Sequence, residues 1–318
     1  MSAPGPGPLV ASAVQLGALG LGAPLLVGAM RALRARFEGR IGPPVHQPLL
    51  DLRKLAGKER LRSEHASGLA AAVPLVLLAT TAAVVVISPL VTVEPLLGRS
   101  ADLFAVVFLL LCGSVALALG GLDAGTAFGG MGASRTMTIG ALAEPALLVA
   151  VLAFSLPARS SNLPAIVVAS LEHPGALASP ERLLAAAALA IVILAEAGRL
   201  PVDNPATHLE LTMVHEATVL DYAGPDLALL TLGEQMRLGY LLALFANLLF
   251  PAGIAPGGGA LGLALGLGAL AGKVAALAGV LVVFEAFSAK LRLFRVPELL
   301  GGAFVLAALA VLSGFVLR

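Results

Sequence analysis

Apolar runs long enough to cross a bilayer recur along the whole chain, and few architectures can accommodate so many. A run of about 18 or more such residues, coiled as an α-helix, spans the roughly 30 Å hydrocarbon core of a membrane. Charged residues make up only 12% of the 318 residues, about half of the roughly 25% a soluble protein uses to cover its surface. Most of this protein's surface must therefore face something apolar. A transmembrane barrel does not fit, because its strands alternate at period two over about ten residues, whereas these runs are uninterrupted and rich in Leu and Ala. The expected fold is an all-α integral membrane protein, one polytopic domain over 1–318 with about eight spans. They are placed near 9–30, 68–88, 101–121, 137–157, 181–198, 227–250, 260–285 and 298–316.

The first run is followed at once by Arg31, Arg34, Arg36 and Arg40. This reads as an uncleaved span with a stop-transfer flank, not as a removable signal peptide. Lys and Arg then mark the sides. Arg31 to Arg62, then Arg135, Arg199, and finally Lys290, Arg292 and Arg295 fall in loops after odd-numbered spans. The even loops carry only Arg99 and Arg159, with Arg182 at the start of span five. By the positive-inside rule the odd loops are cytoplasmic and both termini lie outside. The single cysteine, Cys112, supports neither a disulfide framework nor an iron–sulfur cluster, which needs about four thiolates. The net charge of +1 points to no partner class, and no nucleic-acid partner is expected.

The odd loops also carry the distinctive sequence. In the first, Leu49, Leu50, Leu52, Leu55 and Ala56 fall near helical spacing between charged positions, which predicts a short amphipathic helix in the interface. The third, 122–136, is glycine-rich and weakly polar and is expected to dip into the protein. No GK[ST] follows Gly129, Gly130 and Gly132, so it is not a phosphate loop. The fifth is long and acidic. Asn204 and Pro205 there make a good helix start for a helix holding His208, Glu210, His215 and Glu216. Of the even loops, only the stretch LPAIVVAS in 158–180 stands out, as a segment able to lie on the membrane surface.

An ionisable side chain at bilayer depth costs at least ~2.5–3.5 kcal/mol, so those that persist are candidates for function. Glu144 stands near the start of span four. Glu196 and Arg199, and again Glu234 and Arg237, lie three apart and can pair along one helix face. Lys273 and Glu285 lie in span seven, and Asp102 heads span three. Glu196, Asp203, Glu210, Glu216 and Asp221, with two histidines, form a plausible proton relay, since partly desolvated acids and histidines exchange protons near neutral pH. The bland alternatives are a structural ion pair for Glu234 and Arg237, and snorkelling or helix capping for Asp102 and Glu285. His208 and His215 share a face but have no HExxH pattern or cysteine set, so no metal site is expected.

Arg40, Gly42, Pro43, Gln47, Pro48, Asp51, Lys54 and Leu55 resemble the first-loop pattern of the membrane subunit at the heel of respiratory complex I, known in mitochondria as subunit 1. Glu196, Arg199, Pro201 and Asp203, followed by Glu210 and Leu211, resemble its fifth-loop signature, and Glu144 resembles its span-four glutamate. Three further segments, GGLDAGTAFGGMGASRTMTIGALAEPALL, DNPATHLELTMVHEA and AKLRLFRVPELLGG, resemble the hydrogenase branch of that family. These are the corresponding subunits of formate hydrogenlyase and hydrogenase-4 complexes, group 4 [NiFe] hydrogenases. Ala206, His208, the Asp221–Gly224 segment and Arg292-Leu293-Phe294-Arg295 depart from complex I proper, which argues against a quinone here while leaving it open.

The resemblance implies a non-catalytic subunit of an oxidoreductase complex in a prokaryotic inner membrane. Its proton relay would run through Glu144, Glu196, Arg199, Asp203, Glu210 and Glu216. Arg40, Gln47, Asp51, Lys54, Asp123 and Arg135 would dock the peripheral arm. The implied partners are membrane lipid, hydrogenase-like large and small subunits and antiporter-like membrane subunits. Iron–sulfur clusters and nickel–iron would belong to those partners and no cofactor to this chain. The competing readings are a quinone-chamber subunit of an NADH–quinone oxidoreductase and a stand-alone ion-coupled transporter. The latter predicts an inverted repeat and broken mid-span helices, of which neither is evident.

Overall fold

The computed structural model describes residues 6–173, 179–203, 213–257 and 259–316. Eleven α-helices lie among them. In chain order they are α1 (Pro6–Phe37), α2 (Gln47–Ala56), α3 (Gly68–Ile87), α4 (Leu103–Asp123), α5 (Ala127–Ser155), α6 (Leu163–Glu172), α7 (Pro180–Glu196), α8 (His215–Thr218), α9 (Gly224–Leu249), α10 (Ala260–Phe287) and α11 (Val296–Val316). Seven of them, α1, α3, α4, α5, α9, α10 and α11, are long and apolar enough to cross a membrane. The protein is therefore an all-α, multi-pass membrane protein.

The fifth expected span is α7. It has 17 residues, about 25 Å at 1.5 Å per residue, and is the shortest of the set. Its start is tied to the end of α9, where Arg182 Nη2 donates to Leu248 O at 2.9 Å. Its last residue, Glu196, pairs with Arg237 further back on α9. It thus runs antiparallel to α9 through the bundle.

Helix α9 is the most enclosed of the long helices, packed on α1, α3, α7, α10 and the amphipathic α2. That enclosure is why it carries Asp226, Gln235, Arg237 and Asn247, all buried. A polar group on a lipid-facing helix would have no partner, whereas inside a bundle other helices supply one. α10 and α11 lie at the periphery and show large apolar side chains such as Leu265, Val280, Phe287 and Phe315 outward.

At the end of the bundle carrying loop two, the chain after α3 is irregular yet buried, so its backbone must find partners within the protein. Gln15, fully buried on α1, donates to the carbonyls of Val85 and Ser88 and accepts from Val91 N at 3.1 Å. Asn247 donates to Pro89 O and Leu90 O at 3.2 and 2.8 Å. Lys273 Nζ reaches Asn247 Oδ1 at 2.7 Å and the carbonyls of Phe250 and Ala252. Lys273 thus satisfies carbonyls of the turn that follows α9. Asp102 caps α4, accepting from Phe104 N at 2.9 Å.

Three expectations are sharpened or corrected. The amphipathic helix of loop one is α2. The stretch LPAIVVAS is part of α6, which packs Leu163, Ile166 and Val167 against the bundle and leaves Val168 and Leu171 exposed. The glycine-rich 122–136 is mostly not a loop, because α5 begins at Ala127 and leaves only a three-residue turn. Its glycines permit close approach. A side chain on Gly132 would meet Thr218 N at 2.6 Å, and one on Gly129 would overlap Gly121 O. Gly28 is likewise crossed by Val45 O, which lays the GPP segment of loop one onto α1.

Candidate functional site: a buried charge series behind loop five

α7 ends at Glu196, and Gly198, with φ +55°, turns the chain out of the helix. Arg199 is therefore not one helical turn beyond Glu196, and the expected i, i+3 pair does not form. Glu196 pairs across the bundle with Arg237, and Arg237 Nη2 also takes Ser114 Oγ at 2.8 Å. Both members are nearly sequestered, at 5% and 9% side-chain exposure. Arg199 turns instead to Glu285 at 3.5 Å, and Arg34 approaches the same carboxylate at 3.8 Å. Glu285 is buried between these two arginines and neither snorkels nor caps.

The second expected pair does not form either, although Glu234 and Arg237 share the unbroken helix α9, because each takes a partner from another element. Glu234 does not pair with Arg237. Its Oε2 lies 2.6 Å from His215 Nε2. Burial works against a charged imidazole, but the Glu234 carboxylate, helped by Glu216 and Asp203, outweighs it and lifts the His215 pKa to about 9. His215 starts α8, and the backbone there is held by Asp203, whose Oδ2 accepts from Val214 N and His215 N at 3.2 and 3.3 Å. Asp203 Oδ1 in turn takes Lys290 Nζ at 3.0 Å.

A continuous series results. From the end of the bundle carrying loops five and seven it runs Lys290, Asp203, His215, Glu234. One helical turn along α9 it continues with Arg237 and Glu196. Glu144 on α5 lies within electrostatic reach of both, 7% exposed and with Oε1 unpartnered among the described residues.

Of the residues proposed for the relay, Glu144, Glu196 and Asp203 come together here. Arg199 belongs to the neighbouring Glu285 cluster. Glu216 is exposed beside His215 and acts on it only through space. Glu210, with His208, lies outside the described residues. Lys290 and Ser114 were missed. No sequence signal marks Ser114; Lys290 stands out only as the first cation after span seven.

The proposed docking residues divide by exposure. Arg40 is exposed and pairs with Glu38, and Lys54 is exposed on α2. Gln47 Nε2 donates to Asp51 Oδ1 at 3.0 Å along α2. Asp123 joins helices: its carboxylate accepts from Ser67 N, Ser67 Oγ and Ala70 N at 2.8, 2.6 and 3.1 Å, closing the start of α3. Arg135 Nη1 donates to Met213 O at 2.8 Å. Tyr222 lies against Gly120, its hydroxyl without a partner among the described residues; burial, then the carboxylates of Asp123 and Asp226, push its pKa up to about 12. Among the described residues no three His, Cys, Asp or Glu side chains gather closely enough to hold a metal.

Comparison with known proteins bears on the family and the fold. The profile of the family described as NADH dehydrogenase matches residues 10–316. Formate hydrogenlyase subunit 4 of Escherichia coli (strain K12) is 31% identical over 293 residues, 92% of this chain and 94% of that protein. Hydrogenase-4 component C of the same organism is 31% identical over 231 residues, 72% of this chain and 71% of its own length. Among solved structures, a chain of the membrane-bound sulfane sulfur reductase, an archaeal respiratory membrane complex, superposes with a TM-score of 0.83. The superposition covers 97% of this chain and 99% of that one, at 21% identity, and so supports the fold.

Proposed function

We propose a function from one premise: the chain belongs to the NADH dehydrogenase family, beside formate hydrogenlyase subunit 4 and hydrogenase-4 component C. It is a membrane subunit of a complex I-like complex. The finer reading is that it anchors a peripheral hydrogenase arm through its odd loops and couples electron transfer there to proton translocation. In this reading the odd loops face the cytoplasm and both termini lie outside. Iron–sulfur and nickel–iron centres belong to the arm, and antiporter-like subunits lie alongside in the membrane.

The observation that carries the reading is the series from Lys290 to Glu144, which links a loop-bearing end of the bundle to an acid inside it. A change of charge in a docked arm would act first on Lys290 and Asp203. Asp203 holds the backbone of His215, and His215 shares a proton with Glu234. A proton displaced there alters the field at Arg237, which Glu196 and Glu144 both feel. Sites that interact this closely titrate as a group, so a perturbation at one end changes proton occupancy at the other. Arg40 and Lys54 supply exposed positive charge at the docking face. Quinone is no part of the proposal.

The test is made on the intact complex in sealed inverted vesicles. Glu144→Gln, and Glu196→Gln combined with Arg237→Met so that no buried charge is left alone, are expected to leave assembly and hydrogen evolution in place while lowering the protons moved per electron pair. Normal pumping by both variants overturns the relay. NADH–quinone activity from a purified complex that lacks nickel overturns the hydrogenase assignment. A tagged chain migrating alone in mild detergent revives the stand-alone transporter.

A further inference from the structure

Arg135 has a second environment that the charge series does not use. The face of α5 formed by Ser134, Arg135 and Thr138 lines a crevice of about 270 Å³, closed on the other side by Leu293, Phe294 and Pro297 at the turn leading into α11. Its walls are apolar except for that one stripe of α5. Arg292 and Arg295 flank the lining residues in the chain and are exposed, and Phe294 is 89% exposed. Among the described residues none of these three arginines pairs with a carboxylate.

The crevice also lies at the right depth. With 29 residues, α5 is about 43 Å long, longer than a ~30 Å hydrocarbon core. The surplus falls at the Ala127 end, because the other end runs through Val149, Val151, Leu152 and Phe154 without a charge. Ser134 to Thr138 therefore sit where headgroups meet acyl chains, a level that suits an exposed aromatic such as Phe294. A small pocket there, lined by Arg135 and apolar side chains, with exposed Arg292 and Arg295 adjoining its lining residues in the chain, has the chemistry of an anionic headgroup site. Its volume suits a phosphate and glycerol, with the acyl chains left in the membrane.

We propose that this crevice binds the phosphate of an anionic phospholipid, held by Arg135 with Arg292 and Arg295 at the rim and by Leu293 and Phe294 against the upper acyl chain. Charge complementarity selects this occupant: an apolar transmembrane helix from a neighbouring subunit would leave three guanidiniums without a counter-charge at the membrane surface. One nitrogen of Arg135 already holds Met213 O, two residues before His215. The bound phosphate therefore steadies the same side chain that positions the start of α8.

The intact complex, delipidated in mild detergent, is incubated with equimolar phosphatidylglycerol and phosphatidylethanolamine of identical chains, and the retained lipids are counted by native mass spectrometry. One phosphatidylglycerol is expected to be retained in preference to phosphatidylethanolamine. Arg295→Gln and Arg135→Gln should each weaken its retention about fivefold, the effect of one arginine near an anionic surface. Arg36→Gln, an exposed arginine elsewhere, should not. Arg295 and Phe294 are exposed, so Arg295→Gln and Phe294→Ala test the site without loss of the fold even if Arg135→Gln misassembles. Equal retention of the two lipids, or retention indifferent to Arg295→Gln and Phe294→Ala, overturns the proposal. So does displacement by millimolar inorganic phosphate, or photo-crosslinking of Phe294 to another subunit.

Discussion

Alanine at Gly132 and alanine at Gly130 should have opposite effects, although the two positions are neighbours on the same helix. Both substitutions favour the helix by up to about 1 kcal/mol. A Cβ at Gly130 meets nothing within 4 Å, so that gain should appear as stabilisation. A Cβ at Gly132 would stand 2.6 Å from Thr218 N, 2.7 Å from Thr218 Oγ1 and 2.8 Å from Ala217 C. Two of these are backbone atoms and cannot rotate aside, so α8 must retreat by about 1 Å to reach ordinary contact. Overpacking of this kind costs about 1–3 kcal/mol, which against a helix gain of about 1 kcal/mol leaves a net loss of about 1 kcal/mol at the middle of that range and places Gly132→Ala about 1–3 kcal/mol below Gly130→Ala. The measurement is equilibrium unfolding in mixed micelles, comparing the two variants with the parent protein. A shift of that size also disturbs the 2.6 Å contact between His215 and Glu234, so Gly132→Ala should alter coupling as well as stability. If Gly132→Ala is as stable as Gly130→Ala, the close packing of α5 on α8 is refuted, and with it the placement of His215.

Two further expectations concern the charge series. The His215 pKa lies at about 9, above its ordinary 6.5, so its contribution to stability is complete below pH 6.5 and lost as pH rises through 9. The full shift corresponds to about 3 kcal/mol, but the imidazole is 36% exposed and solvent screening reduces this to about 1 kcal/mol. Unfolding of the parent protein should weaken by that amount between pH 6 and pH 9.5, and His215→Gln should abolish the dependence. Arg237→Met leaves Glu196 charged and almost wholly buried, and should cost about 3–5 kcal/mol. Adding Glu196→Gln should recover most of that loss in the same assay; no recovery would mean that the ion pair is not the source.

The membrane class and the long apolar helices were legible because the bilayer imposes a simple rule: each crossing needs about 20 apolar residues, and any shortfall shows in one dimension. Even there the chain held one ambiguity, since the glycine-rich 122–136 reads as loop by composition and is the first part of α5. Small residues score as loop formers, but they also let helices approach, and only a neighbour such as Thr218 distinguishes the two. The capping role of Asp102 was equally visible, because a cap is local.

The acids and arginines of the site, though not Ser114 or Lys290, were visible as residues, because an ionisable group inside an apolar stretch stands out against its surroundings. Their partners were not. Spacing by three suggested Glu196 with Arg199 and Glu234 with Arg237, a rule that holds only along an unbroken exposed helix. The helix breaks at Gly198, and within a bundle a buried charge takes whichever opposite charge the neighbouring helix brings closest. The amino-acid sequence by itself thus determined that this protein lives in a membrane, which of its stretches are long and apolar enough to cross one, and which charges lie within them. Tertiary structure alone decided that Glu196 meets Arg237, that His215 meets Glu234, and that Asp203 joins Lys290 to α8. The reason is physical: burial is a property of a residue and its neighbours in sequence, whereas pairing is a property of helices that meet only after folding.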